Sequence, residues 1–413
     1  MCIDLKSFYA SVECVERGLD PMTAKLVVAD PERTKGTICL AVTPAMKALG
    51  VRNRCRVFEI PPNIDYIMAT PRMALYIEYS ARVYSVYLKY VAPEDIHPYS
   101  IDEVFMDITD YLSYRNQTAE EFALMIKDDV FKTVGITAAC GVGTNLYLAK
   151  IAMDILAKRS PNGLASIDEA DYRQLLWGHR PLTDFWRIGE GTARRLERMG
   201  ALTMGEVARL NEDAMYRAFG IDAELLIDHA WGRESTTIAD IKAYRPKTRC
   251  MSSGQVLPRA YSFEEGRTIV REMAEAAALD MFGSGLSCRG IALCLSYGYA
   301  SSAPPSKGSV SFAAPSASMS RIADCAELIY ERIADRRQDI HRVNITLDRL
   351  TDCPCGQYDL FSDEKALEKE KRLQTAMLSI RGKYGRRSIF KCLDLKEEAT
   401  ALERFHQIGG HRA

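Results

Sequence analysis

The chain opens on an apolar run, Met1-Cys2-Ile3, that stops at Asp4. After a short polar step it resumes as Phe8-Tyr9-Ala10-Ser11-Val12, so a strand, a turn and a helix are expected. A second short strand is expected through Val104-Phe105-Met106, with Asp102-Glu103 ahead of it and Asp107 behind. Between them, Lys25–Ala29 and Thr37–Val42 read as strands, and Thr43–Val51 as a helix with Pro near its start and Gly near its end. Leu75, Tyr79, Val83, Val86 and Tyr87 fall at helical spacing within 71–90, which predicts a core helix. A further helix is expected near 118–132, then strand and turn over Ile136–Gly143, where Gly141-Val142-Gly143 alone signals a tight turn, then a helix over Asn145–Ala152. Pro161-Asn162-Gly163 punctuates the chain, and from there to about 235 the pattern is helical.

The second half has a different rhythm. Residues 236–248 read as a linker with a basic end. Strands follow near 249–257, 288–299, 307–314 and 340–348, with helices near 263–282 and 318–337, a β-α-β-β-α-β order. Ser301-Ser302-Ala303-Pro304-Pro305 marks the hairpin between the middle strands.

Size and charge narrow the reading. A length of 413 residues suits two to four domains. Lys and Arg total 54 against 55 Asp and Glu, so any nucleic-acid surface must come from local segregation of charge, as in Arg381–Arg387. The twelve cysteines show no CxxC spacing, which speaks against zinc; without a secretory signal, reduced thiols and a cytoplasmic location are expected. No apolar run approaches the roughly 18–20 residues that span a bilayer, so no membrane partner is expected.

The acids carry the candidate chemistry. If the two short strands are neighbours, Asp4, Asp102 and Glu103 converge on one sheet edge. Carboxylates that close repel one another unless cations lie between them, and hard oxygen ligands favour Mg²⁺, two ions of it, or Mn²⁺. Two such ions point to phosphoryl transfer. The strand–turn–helix junction after Asp4 would offer the amides of residues 5 to 9 to a triphosphate, with Tyr9 against the sugar. Taken singly, each motif also fits a turn-forming or solvated acid.

Asp-Leu-Lys-Ser-Phe-Tyr-Ala-Ser-Val-Glu (4–13) and Ser-Ile-Asp-Glu (100–103) resemble the two active-site signatures of the Y-family, the translesion DNA polymerases. The resemblance implies an α/β multidomain right-hand fold with a mixed-sheet palm, small fingers, a helical thumb and a β-α-β-β-α-β little finger. It maps 1–10 and 71–165 to palm, 11–70 to fingers, 166–235 to thumb, 236–248 to linker and 249–350 to little finger, and leaves 351–413 as a tail. It makes Asp4, Asp102 and Glu103 the catalytic metal ligands, with the Leu5 carbonyl as a main-chain ligand. Phe8, Tyr9, Thr43, Lys47 and Lys150 would bind the deoxynucleoside triphosphate, Tyr9 as the aromatic that rejects a ribose 2′-hydroxyl. Pro44 stands where many members carry a Tyr, which leaves Thr43 as the nearby hydroxyl.

Phe185–Leu196 resembles a helix–hairpin–helix, whose turn (Arg187, Ile188, Gly189) would meet a DNA phosphate; Arg187 takes the place of the first glycine. Arg289, Lys307, Arg342 and Arg349 are further candidate phosphate contacts. Gln357-Tyr358-Asp359-Leu360-Phe361 resembles the peptide that docks on the bacterial sliding clamp. Its place before a helix and a Gly-Arg-rich stretch is most similar to the catalytic subunit of bacterial DNA polymerase V and its plasmid and Gram-positive relatives. That likeness brings in a regulatory subunit and a recombinase filament as partners to test. Only three residues precede Asp4, fewer than the family's usual first strand, so a weakly anchored Asp4 is expected. The activity implied is low-fidelity, template-directed synthesis on primer-template DNA from dNTPs. The alternatives are a catalytically weak DNA- and clamp-binding accessory protein of the same fold, or another two-metal enzyme such as a nuclease or cyclase.

Overall fold

The computed structural model describes residues 1–32, 36–298, 301, 303–352 and 364–413. The chain divides into two compact units, Met1–Tyr244, which the final residue joins, and Arg245–Arg412.

Alternation organises the first unit. Strand β1 (Cys2–Leu5) turns Ile3 and Leu5 to one face and Cys2 and Asp4 to the other. The first face is covered by helices Phe8–Val15, Met73–Tyr87 and Ala119–Val134, which enclose a core including Tyr76, Val83, Phe122 and Ile126. A small three-stranded sheet stands apart: β2 (Leu26–Val28) pairs antiparallel with β3 (Ala41–Val42) and parallel with β4 (Ile67–Ala69). The helix Pro44–Ala48 follows β3 directly. The main sheet is completed by β5 (Ile96–Pro98), β6 (Glu103–Met106), β7 (Ala138–Gly143) and β8 (Leu164–Ile167), in the order β5-β6-β1-β7-β8.

Several expectations change here. β1 is short but central, paired on both sides, and the N-terminal amine bonds the Met106 carbonyl at 2.7 Å, so Asp4 is firmly anchored rather than frayed. Gly141-Val142-Gly143 is not a turn but the end of β7. A Cβ on Gly141 would lie 2.1 Å from the Ala149 carbonyl, and one on Gly143 2.4 Å from the Ala149 amide. Both glycines therefore exist to let the next helix, Leu146–Ile151, close onto the sheet. Pro161-Asn162-Gly163 leads into the added strand β8 instead of straight into helices. Within 236–248, expected as linker, Ile238–Ala243 is a helix whose Lys242 bonds the carbonyls of Pro93 and Glu94.

In the second unit, β9 (Met251–Tyr261), β10 (Cys288–Tyr297), β11 (Ser306–Ser316) and β12 (Ile340–Asp348) form an all-antiparallel sheet ordered β11-β10-β12-β9. Helices Phe263–Gly283 and Met319–Ile333 cover one face, giving the expected β-α-β-β-α-β order. Leu293, Leu295, Val343 and Ile345 point to the helices, while Ala292, Cys294, Asn344 and Thr346 point away. The chain beyond 364 does not trail off as a tail. Helix Glu364–Tyr384 docks through Gln374, which bonds the Ala317 carbonyl, and through buried Met377. The segment after it returns to Glu272, whose buried carboxylate accepts from the Thr400 hydroxyl and amide and from the Ala401 amide.

Candidate active site

The antiparallel register of β1 and β6 sets Asp4 opposite Glu103, on the face that Leu146–Ile151 covers. The site therefore joins the end of β1 to the start of β6; Asp107, at the far end of β6, bonds Thr109 and takes no part. Asp102 precedes β6, and its carbonyl accepts the Leu5 amide at 3.0 Å. Its side chain takes the Ser100 hydroxyl at 2.7 Å, and Ser80 of the core helix holds the same turn through the Ile101 carbonyl. The amides of Leu5 and Lys6 are used by the sheet, the second on the Thr137 carbonyl. The amides left for an anion are thus those of the first turn of helix Phe8–Val15. Ser7, in left-handed conformation at its start, keeps a buried hydroxyl without a partner among the described residues.

Facing the carboxylates is a helix with an irregular end. Ala152–Leu156 forms a π-turn and Ala157–Arg159 a 3₁₀ turn. Lys150, Asp154 and Lys158 project from it in a row. Lys150 is buried and lies 2.7 Å from Glu103 and 2.8 Å from Asp154. Lys158 lies 2.6 Å from Asp4 and 2.8 Å from Asp154. Burial opposes the charge on both lysines, but the carboxylates beside them outweigh it and raise both above the ordinary lysine value. Burial keeps Asp4 above the usual carboxylate range. Lys158 pulls it back, and Asp102 and Glu103 push it up again. Lys47 is lowered by burial and by Lys158, partly offset by Asp4, so it belongs to the same cluster of charge.

The sequence-derived residues separate into groups. Asp4, Asp102, Glu103, Lys47 and Lys150 are brought together as expected. Tyr9 stands beside them, half-buried and within reach of the Asp102 charge. Phe8 is a core residue, and its side chain supports the fold instead of meeting a ligand. Thr43 is fully buried, its hydroxyl accepting the Leu26 amide at 3.2 Å, so it ties β3 to β2 rather than opening onto a phosphate. Lys158 was missed; its signal was a basic pair just ahead of the Pro161-Asn162-Gly163 turn.

Elsewhere, Arg187 sits at φ +67° in the turn before helix Glu190–Arg198, the conformation that a glycine would adopt freely. Its guanidinium stacks on Trp186 at 5.1 Å, Ile188 is buried beneath, and Gly189 caps the helix. On the second sheet, Lys307 and Arg342 lie on the open face, whereas Arg289 bonds the Ala313 carbonyl and Arg349 the Arg289 carbonyl and Ser311. Part of the basic cluster at 381–387 is also spent internally, Arg381 on Phe405 and the Ile389 carbonyl, Arg386 on Asp280. Gln357, Tyr358, Asp359, Leu360 and Phe361 lie outside the described residues.

Hard divalent cations fit the donor chemistry of this edge, which is all oxygen. Half-buried Asp4 is raised first by burial, is pulled back by Lys158, and is raised further by the charges of Asp102 and Glu103, so three carboxylates crowd this edge. With Asp4 and Glu103 turned to lysines, no three acids among the described residues are arranged to hold one ion. No helix among them is long and apolar enough to cross a membrane.

Comparison with known proteins agrees with this geometry. Residues 3–154 match the impB/mucB/samB family and residues 249–360 its C-terminal domain. The UvrX protein of Bacillus subtilis (strain 168), whose name refers to UV-damage repair, is 30% identical over 100% of this chain and 97% of its own length. DNA polymerase IV 2 of the same organism is 28% identical over 99% of this chain and 97% of its own. Both alignments run through residues 351–413, so the C-terminal segment does not separate this chain from relatives of the polymerase IV kind. Among solved structures, the Y-family DNA polymerase chimera Dbh-Dpo4(243-245)-Dbh superposes with a TM-score of 0.67 at 21% identity, covering 84% of this chain and 97% of that one, a likeness of fold. The chain belongs to the impB/mucB/samB family, the Y-family of translesion DNA polymerases.

Proposed function

We propose that the chain is a low-fidelity, template-directed DNA polymerase that extends a primer past damaged template bases, with Asp4, Asp102 and Glu103 as its catalytic acids. The observation that carries this is the pairing of Asp4 with Glu103 across β1 and β6, with Asp102 fixed to Leu5 beside them. In the reaction the primer 3′-oxygen bonds the α-phosphorus of a dNTP, the bond to the bridging oxygen breaks, pyrophosphate leaves, and the hydroxyl proton passes to solvent. Two Mg²⁺ ions, or Mn²⁺, held by the three acids and the Leu5 carbonyl would acidify the hydroxyl and neutralise the leaving group.

The chain's own residues supply the positioning. The first helical turn after Ser7 offers amides to the triphosphate, and Lys47 and Lys158 stand where they neutralise it. Lys150, held between Glu103 and Asp154, orients Glu103 on this reading, besides the triphosphate contact expected of it. Tyr9 borders the sugar. DNA would be held by the Arg187–Gly189 turn and by the open face of the second sheet, where Lys307 and Arg342 flank small polar residues. Residues 357–361 supply a sliding-clamp peptide on this reading, and domain roles follow the palm, fingers, thumb and little-finger map.

The test is primer extension on a template with one abasic site, using Mg²⁺ and dNTPs. Products lengthened past the lesion support the proposal. A primer left untouched favours the accessory-protein alternative, and a shortened one a nuclease.

A further inference from the structure

Beneath Tyr9 lies a buried ionic assembly for which the catalytic reading has no use. The Tyr9 ring stacks on Tyr76 with centroids 4.5 Å apart and planes 17° from parallel. Tyr76 has no exposed surface, and its hydroxyl donates to Oε1 of Glu13 at 2.7 Å. Glu13 is one helical turn beyond Tyr9 and equally buried. It accepts two bonds from Arg72, Nε at 3.0 Å and Nη2 at 2.7 Å, and another from Arg17. Burial alone would raise the Glu13 carboxyl, but these donors outweigh it and hold it below its ordinary value.

A carboxylate taken out of water costs several kcal/mol, and packed apolar residues would usually do as well for stability. Here the ionic cluster has a directional consequence that apolar packing lacks. It fixes one phenol hydroxyl, and with it the plane of a ring that backs Tyr9. Stacked aromatics hold their offset only while both rings keep their planes.

We propose that Glu13, anchored by Arg72, is a positioning residue for sugar selection. By locking Tyr76 it locks the ring of Tyr9 against which a ribose 2′-hydroxyl would clash. This rests on reading Tyr9 as the residue that borders the sugar. A gate free to shift by about 1 Å loses much of its discrimination, since misplacements of that size cost on the order of 10²-fold in reacting sites.

The test is single-nucleotide insertion by the full chain, comparing kcat/KM for a dNTP and the matching rNTP opposite the same template base. Tyr9→Ala should collapse the discrimination ratio. Glu13→Gln should lower it about tenfold, and Tyr76→Phe, which keeps the ring but loses the hydroxyl, several-fold. The double variant should be no worse than Glu13→Gln alone, because both act through one hydrogen bond. A purely structural role would slow both nucleotides alike and leave the ratio unchanged. If Tyr9→Ala collapses the ratio while Glu13→Gln and Tyr76→Phe keep the wild-type value, the proposal is wrong. If Tyr9→Ala itself leaves the ratio intact, the sugar-gate reading fails and takes the proposal with it. Should Glu13→Gln prove unfolded by circular dichroism, Tyr76→Phe decides alone.

Discussion

The sheets of the two units meet similar packing demands and present opposite chemistry. In the first, the face that carries Asp4 and Glu103 is covered by a helix drawn in close over Gly141 and Gly143, and the charges lie in a half-buried row answered by Lys150 and Lys158. In the second, the face away from the helices stays open and is built of small neutral side chains, Ser252, Gly254, Ala292, Ser309 and Thr346, with Lys307 and Arg342 among them. Buried charge is geometrically exacting, because each group depends on a particular partner. An open face of weak contacts is forgiving, because affinity is spread over many of them. On the function proposed, chemistry is therefore concentrated in the first unit, and DNA grip distributed in the second.

The sharpest way to break that contrast is a carboxylate. Glu103→Gln should reduce the rate of primer extension by about 10³-fold or more, with a smaller change in DNA affinity measured by fluorescence anisotropy. Matched glycine substitutions come next. Gly141→Ala places a Cβ against helix backbone and should cost about 3 kcal/mol or more in chemical unfolding. Gly254→Ala meets the end of the Asn344 side chain, its oxygen at 2.0 Å, which can rotate aside, so its cost should stay under about 1 kcal/mol. Equal costs would contradict the account of a tightly closed first sheet and an open second one.

A third prediction concerns the open face. Lys307→Ala and Arg342→Ala should each weaken DNA binding several-fold, and each should lower the slope of log affinity against log salt by about 0.9 for a lost phosphate contact. An unchanged slope would remove these residues from the interface. The smallest effect is on pH dependence. Glu13 and Glu272 are both buried, yet Glu13 is lowered by Arg72 and Tyr76, while Glu272, met by amides and a hydroxyl, is raised chiefly by burial. A raised carboxyl burdens the fold when ionised, so that burden should ease as pH falls from neutral through its folded value. Glu13 acts the other way: its contribution is present above the unfolded carboxylate value and disappears below it. Glu272→Gln should accordingly flatten the pH profile of second-unit unfolding between neutrality and about pH 4.

Much of this was readable from local pattern. Apolar runs bordered by acids located β1 and β6, whose register puts Ile3 and Val104 into one core and Cys2 and Phe105 into another. The second unit was readable because each strand and helix carried its own period and turn. What escaped depends on distant partners. Lys158 reaches Asp4 only because two glycines on β7 admit the helix and a π-turn redirects its end. The Glu13–Tyr76 bond joins positions 63 residues apart, and Thr400 meets Glu272 across 128. The side chains of Phe8 and Thr43 were not placed for the converse reason: they border the motif in sequence but point into the core. Arg187 could be recognised as standing in a glycine's place, and its positive φ shows the backbone kept the turn regardless.

The most direct test of the central claim compares the wild-type chain with Asp102→Ala in primer extension across a Mg²⁺ titration on undamaged template. Asp102 is partly exposed and, among the described residues, its side chain bonds only Ser100, so its removal should leave the fold and its unfolding temperature nearly unchanged. The account predicts Mg²⁺-dependent extension by the wild type and a loss of about 10³-fold or more in the variant. Extension by Asp102→Ala at the wild-type rate would contradict it.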